Sequence, residues 1–146
     1  MGQKSPVKKG QLVEIDIDDM SHEGQGVGKV NGFTVFVEGA LKDERVLVKI
    51  DDVAKRYAKG HVKKIFLPSK DRVAPKCPYA QHCGGCMLQH LLYGAQLGFK
   101  TQKVKDSLQR IGHIDAQVYG TIGMNEPYGY RNKAQFPVGH EGGRAV

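Results

Sequence analysis

From Gln11 to Phe66, apolar and polar residues alternate in short runs instead of recurring at helical spacing. Val13, Ile15 and Ile17 alternate with Glu14, Asp16 and Asp18, a period of two that predicts a strand with one face in the core and one in water. Val27–Val30 and Phe33–Val37 flank Asn31-Gly32, a pair suited to the left-handed backbone of a two-residue hairpin. Arg45–Asp51 repeats the alternation, with Val46, Val48 and Ile50 on one side and Leu47 and Lys49 on the other. A fifth run, Arg56–Phe66, carries Tyr57, Val62 and Ile65 among its lysines. Five short strands with tight turns predict a small closed barrel, since closure removes unpaired sheet edges.

The pattern breaks at Leu67-Pro68-Ser69. The segment Cys77–Cys86 is expected to be irregular, because it holds a proline, two adjacent glycines and almost no apolar residues. From Leu91 to Ile111 the spacing becomes helical: Leu88, Leu92, Ala95 and Phe99, then Val104, Leu108 and Ile111 after a slip. Gly94 and Gly98 weaken that helix by roughly 1 kcal/mol each, and Gly112 is placed to cap it. Beyond Gln117 a strand is expected, then a turn at Asn125–Gly129 and a strand near Lys133–Val138. The fold class is therefore mainly β with an α/β remainder. A five-stranded OB-like barrel is expected at residues 8–67. Residues 68–146 then supply a cysteine-rich loop, a helix and part of an α/β domain that breaks off after a glycine pair.

Charge sharpens this picture. The net charge is +7, and it is concentrated in one place. Lys55, Arg56, Lys59, Lys63, Lys64, Lys70, Arg72 and Lys76 face only Asp71 between residues 55 and 76, while the rest of the chain is balanced. Such a local excess attracts polyanions through counterion release. Cations beside aromatic rings suit single-stranded RNA, where bases stack and phosphates pair. The candidate RNA contacts are Lys55 and, on the fifth strand run, Arg56, Tyr57, Lys59, Lys63 and Lys64. Arg131 and Lys133 form a second basic patch around Tyr130. Phe36 sits on a neighbouring hairpin, and Phe33 is expected in the core.

The sharpest chemical feature is Cys77-x5-Cys83-Gly84-Gly85-Cys86. Three thiolates within ten residues, with glycines to let the backbone fold round a centre, suit a metal or iron–sulfur site. A cubane takes four thiolates, and the chain has three cysteines. The fourth ligand could lie elsewhere in a longer protein, His90 or His82 could complete a Cys3His zinc site, or the position could be open to a substrate. Gly24-Gln25-Gly26-Val27-Gly28 has dinucleotide-motif spacing, but no helix is expected after it, so these glycines are read as a bend between strands. Asp18 and Asp19 read as a solvated turn, and no acid–base or nucleophile set is visible. The N-terminal MGQKSPVKKG has no apolar core and no run is long enough to span a membrane. An odd cysteine count argues against a disulfide framework, so a reducing cytoplasm is expected.

The stretch Asp18–Ile50, with HEGQGVGKVNGFTVFVEGALKDERVLVKI at 22–50, resembles a TRAM domain, a small β-barrel of RNA-modifying enzymes. That stretch is followed by Cys77-x5-Cys83-Gly84-Gly85-Cys86-x2-Gln89-His90, a helix and Tyr130-Arg131-Asn132-Lys133-Ala134-Gln135-Phe136-Pro137-Val138. Together they are similar to the N-terminal half of the RNA uracil-C5 methyltransferases, in particular the bacterial enzymes that make 5-methyluridine in 23S rRNA. The resemblance implies a [4Fe-4S] cluster held by Cys77, Cys83 and Cys86, with a fourth cysteine beyond Val146 and a structural role for the cluster. It also implies that S-adenosylmethionine, the catalytic cysteine and the glutamate belong to a C-terminal Rossmann-like domain absent here. No catalytic residue then lies in this chain, which alone should be inactive. Two rival readings are a stand-alone RNA-binding zinc module using His90, and part of a radical S-adenosylmethionine enzyme. The second expects three residues where the Cys77–Cys83 gap has five.

Overall fold

The computed structural model of the chain describes residues 5–133, 135 and 138–145. Its first half is the expected barrel, built from β1 (Leu12–Met20), β2 (Gly26–Val30), β3 (Phe33–Glu38), β4 (Arg45–Val53) and β5 (Tyr57–Leu67). The barrel closes in the order β1-β2-β3-β5-β4. Neighbours are antiparallel except β3 and β5, which run parallel. The period-two pattern decides what faces inward. Ile15, Ile17, Val35, Val37, Val46, Val48, Ile50 and Ala58 fill the interior, and Phe33, Val62 and Ile65 pack half-buried at its margin. Asn31 and Gly32 both take positive φ, 49° and 79°, and turn the β2–β3 hairpin as their chemistry predicts.

Two local expectations need correcting. Asp18 and Asp19 do not form a turn; they continue β1, with an irregular register between Ile17 and Asp19. The reversal comes later, at Ser21–Gln25, because Gly24 can adopt φ 79° there. Of the glycine run, only Gly24 makes a bend. Gly26 and Gly28 lie inside β2 and are buried. A Cβ on Gly28 would stand 2.5 Å from the Asp16 carbonyl oxygen and strike the Ile15 side chain, so these glycines let β2 approach β1.

Beyond the barrel the sequence is less well obeyed. Cys77–Cys86 is not wholly irregular, since α1 (Ala80–Cys83) forms a single turn that Gly84 stops at φ 68°. The long helix is present as α2 (Tyr93–Asp106), continued by a π-helical turn, Ser107–Ile111. Gly112 follows it with φ −80°, and the left-handed position falls instead on His113 at φ 52°. The strand expected directly after Gln117 does not form: residues 118–124 carry no strand. That segment lies along α2, held by the Thr101 and Thr121 hydroxyls at 2.8 Å and by the Met124 N–H donating to the Tyr93 hydroxyl at 2.8 Å. Bends do occur within Asn125–Gly129. The strand expected near Lys133–Val138 falls partly outside the described residues; those described there are not in a strand. An unexpected two-residue hairpin, β6 (His140–Glu141) with β7 (Arg144–Ala145), turns at Gly142-Gly143. Among the described residues no helix is long and apolar enough to cross a membrane.

Gly28→Ala should lower the urea midpoint, costing about 1–3 kcal/mol as an overpacked contact. Gly94→Ala on α2, where nothing stands within 4 Å, should leave the midpoint level or raise it. An unchanged midpoint for Gly28→Ala would remove close approach of β1 as the reason for the glycine.

Candidate nucleic-acid interface and cysteine loop

Strand register determines which side chains share the outer wall. On β3 the inward Val35 and Val37 alternate with Thr34 and Phe36, and on β5 the buried Ala58 and Gly60 alternate with Tyr57 and Lys59. Thr34 pairs with Tyr57 and Phe36 with Lys59 across β3–β5, while Lys29 pairs with Thr34 and Val27 with Phe36 across β2–β3. The result is one surface carrying Lys29, Phe36, Tyr57 and Lys59. The two rings meet edge to face with centroids 5.5 Å apart, and Tyr57 keeps 37% of its surface exposed. Lys55 and Arg56 are exposed on the β4–β5 turn beside Tyr57. Asp52, in register with Lys59, borders the patch on the β4 side.

The sequence-derived candidates do not form a single cluster. Lys63 and Lys64 lie toward the far end of β5, roughly 20 Å along the strand from Tyr57 at ~3.3 Å per residue. There the Lys64 ammonium sits 5.3 Å from the centre of the Phe66 ring. Arg131 and Lys133 are exposed on an irregular segment after α2. Three residues before Arg131, the Tyr128 ring lies under the Lys76 ammonium at 4.1 Å, which carries this segment to the start of the cysteine loop. Lys29 was not among the sequence-derived candidates. Its distance in sequence from Tyr57 hides it, and only the β2–β3–β5 register brings it in.

The cysteine loop is tied at its base. Arg72 bridges Leu91, the Val73 N–H donates to the His90 carbonyl at 2.9 Å, and the Leu92 N–H donates to the Asp71 carbonyl at 2.8 Å. Gln96 donates to the carbonyls of Leu88 and Leu91, so the first turn of α2 holds the returning strand. The tie is fastened to the barrel by Glu44, whose side chain is wholly buried. Arg72 Nε donates to Glu44 Oε1 at 2.5 Å and Arg72 Nη2 to Oε2 at 2.8 Å, and the same Nη2 reaches the Gly39 carbonyl. The N–H groups of Leu41 and Ser69 complete the carboxylate's partners. Burial pushes the Glu44 carboxyl upward, but these hydrogen bonds outweigh it and hold it below its ordinary value. Beside the pair, burial first and then the Arg72 charge hold His90 below its ordinary value. Its Nε2 is buried with no hydrogen-bond partner among the described residues.

Within the loop, the Cys77 N–H donates to Gln89 Oε1 at 3.2 Å. All three cysteines are free, Cys77 half-buried and Cys83 and Cys86 exposed. Their chemistry suits a thiophilic centre. Among the described residues, however, no group of three or more His, Cys, Asp or Glu side chains is arranged to hold a metal ion. His90 is influenced first by its burial and then by the charges of the Arg72–Glu44 clamp.

Residues 6–63, which make up most of the closed barrel with its Phe36–Tyr57 pair, match the family model of the TRAM domain. Over nearly its whole length the chain is similar to RNA methyltransferases. It is 57% identical over 136 residues to an uncharacterised RNA methyltransferase of Caldanaerobacter subterraneus subsp. tengcongensis, covering 93% of this chain and 30% of that protein. It is 50% identical to another from Clostridium tetani, covering 95% of this chain and 30% of that one. The chain thus spans about 30% of the length of the curated relatives it matches. Among solved structures it is similar to the tRNA (uracil-54, C5)-methyltransferase of Pyrococcus abyssi in complex with S-adenosyl-L-homocysteine. That likeness has 29% identity and a TM-score of 0.49, covering 73% of this chain and 23% of that one.

Arg72→Met strands the Glu44 carboxylate in the interior and should cost about 3–5 kcal/mol in urea unfolding, whereas Glu44→Leu with Arg72→Met should recover most of that loss. Both depressed pKa values mean that the folded state binds fewer protons than the unfolded one. Stability should therefore fall as pH drops below about 6.5 through His90, and again below about 4.5 through Glu44. His90→Leu should flatten the upper window only. A flat midpoint between pH 7 and pH 4 would remove both groups from the account.

Proposed function

We propose that this chain is the RNA-docking part of an S-adenosylmethionine-dependent uracil-C5 methyltransferase whose substrate is 23S rRNA. The observation that carries the RNA reading is the outer barrel wall, where Phe36 and Tyr57 stand between Lys29 and Lys59 with Lys55 and Arg56 at one end. Unpaired bases stack on the two rings while the ammonium groups pair with flanking phosphates, a combination that tolerates any base. Lys63 and Lys64 extend the cationic stripe along β5, and Arg131 and Lys133 add a contact beyond the cysteine loop. The methyltransferase reading is supported by similarity over 93% or more of the chain to proteins described as RNA methyltransferases. Uracil C5 and 23S rRNA rest on the resemblance of the Cys83-Gly84-Gly85-Cys86-x2-Gln89-His90 segment. The methyl donor and the attacking cysteine belong to the remaining length of such a protein, in the cytoplasm.

In the same reading, Cys77, Cys83 and Cys86 are ligands of a [4Fe-4S] cluster, completed by a fourth thiolate from that remaining length. The cluster's contribution is structural, because methylation at C5 needs no electron transfer. What this chain itself supplies is the base of the loop, fixed through Arg72 and Gln96, and a backbone anchor at Cys77 from Gln89.

Phe36→Ala and Tyr57→Ala should each weaken binding to a single-stranded rRNA fragment by about 1–3 kcal/mol in fluorescence anisotropy. Lys29→Gln and Lys59→Gln should each reduce the slope of log affinity against log salt by about 0.7. Parent-like affinity in both aromatic variants would move the RNA site off this wall. The full-length protein purified without oxygen should carry iron and sulfide, and stoichiometric zinc instead would replace the cluster by a Cys3His centre.

A further inference from the structure

Strict alternation would keep the odd-numbered residues of β5 outside from end to end, since Tyr57 and Lys59 face out while Ala58 and Gly60 are buried. Yet Val62 and Ile65, three apart, both pack against the barrel core. The strand pairing accounts for this. Val62 pairs with Val48 and Lys64 with the next β4 residue, Leu47, so Lys63 is an extra residue, a β-bulge. Beyond it the parity is shifted, and the even-numbered Lys64 and Phe66 face outward, as Tyr57 and Lys59 do before it. A second irregularity leaves Phe66 between the Ile65–Val46 and Leu67–Arg45 pairs with no β4 partner of its own. Phe66 keeps 44% of its surface exposed, and its ring centre lies 5.3 Å from the Lys64 ammonium. Lys63 and Lys64 form no ion pair among the described residues, while Arg45 engages Asp16 and Glu14 on the β1 side at 2.6 and 3.8 Å. Midway along β5 the charges balance. His61 is in register with Glu38 on one side and Lys49 on the other, and its Nδ1 lies 2.7 Å from Asp51 Oδ2. Free cations and exposed rings are thus gathered at the two ends of one strand.

We propose that Phe66 and Lys64, with Lys63, form a second RNA station, and that one single strand of RNA runs along β5 from Tyr57 to Phe66. At each end a base stacks on the exposed ring and the ammonium beside it pairs with a phosphate. The occupant is single-stranded, because a duplex hides its base faces within its own stack and offers a ring no partner. Tyr57 and Phe66 lie roughly 30 Å apart along the strand at ~3.3 Å per residue. That distance is about nine nucleotides at the ~3.4 Å rise of a stacked strand, and fewer when the strand is extended. Either count falls within the ~4–16 nucleotides that a barrel of this kind covers. The inference rests on the RNA reading of the Phe36–Tyr57 wall and adds a length requirement to it. A strand too short to reach both ends engages one station at a time; a longer one engages both, the second contact having become intramolecular.

The test compares the affinities of this chain for oligouridylates of four and sixteen nucleotides, by fluorescence anisotropy and competition. From the shorter to the longer probe the parent should gain about 100-fold or more. Phe66→Ala and Phe66→Leu should lose most of that gain, and Phe66→Tyr, which keeps a stacking face, should retain it. Lys64→Gln should lower the slope of log affinity against log salt for the longer probe by about 0.7. Urea midpoints of the Phe66 variants should match the parent. A weakened Tyr57→Ala beside a parent-like Phe66→Ala would overturn the second station and leave the first standing. Parent-like binding in both would overturn the two together. A lowered midpoint for Phe66→Ala with the length gain intact would make Phe66 a packing residue and overturn the proposal. The loss in Phe66→Ala should recur in the full-length protein; a loss confined to this chain would mean that the remaining length covers the ring, and would overturn it as well.

Discussion

Glu44 is a carboxylate with no exposed surface in an interior otherwise made of aliphatic side chains. An ionised group so placed costs several kcal/mol unless its oxygens are fully paired, and here four donors surround it: two from Arg72 and the N–H groups of Leu41 and Ser69. None of these partners is local to a single strand. Glu44 precedes β4, Leu41 lies in the β3–β4 loop, and Ser69 and Arg72 follow β5. Satisfying one carboxylate therefore fixes where the chain leaves the barrel, and through the Arg72–Leu91 bridge it fixes where the chain returns. The price of burying the charge is what gives the joint a single geometry.

The two ends of this joint are built differently. On one side a closed barrel buries alternate residues of five strands, needs no partner for its edges, and is free to spend its outer wall on Lys29, Phe36, Tyr57 and Lys59. On the other, α2 buries none of its residues, and Ile111, Tyr119, Ile122 and Val138 are largely exposed. The wall of cations and aromatic rings thus rests on a self-sufficient core. The cysteine loop borrows its order from the barrel through Arg72 and from α2 through Gln96. Within the loop, Cys77 is half-buried with its N–H bonded to Gln89, while Cys83 and Cys86 are exposed on either side of two glycines.

Much of this was determined by the sequence itself. Short apolar runs between turn residues placed five strands, period-two alternation marked the inward faces of β1 and β4, and Asn31-Gly32 placed a hairpin, because strand pleating and positive φ are local constraints. The clustering of three cysteines, the cation run of residues 55–76 and the helix from about residue 91 were equally local signals. The tertiary structure decided what depends on register and burial. It joined Lys29 to Tyr57 through two strand pairings and split the lysines of β5 between two ends of a strand. It also turned Gly26 and Gly28 from a bend into a close contact with β1. Glu44 and Arg72 had no sequence signature, since they stand 28 residues apart and each resembles an ordinary surface charge. The strand expected after Gln117 failed because a strand exists only with a paired neighbour. The chain there found the Thr101 and Tyr93 hydroxyls along α2 instead.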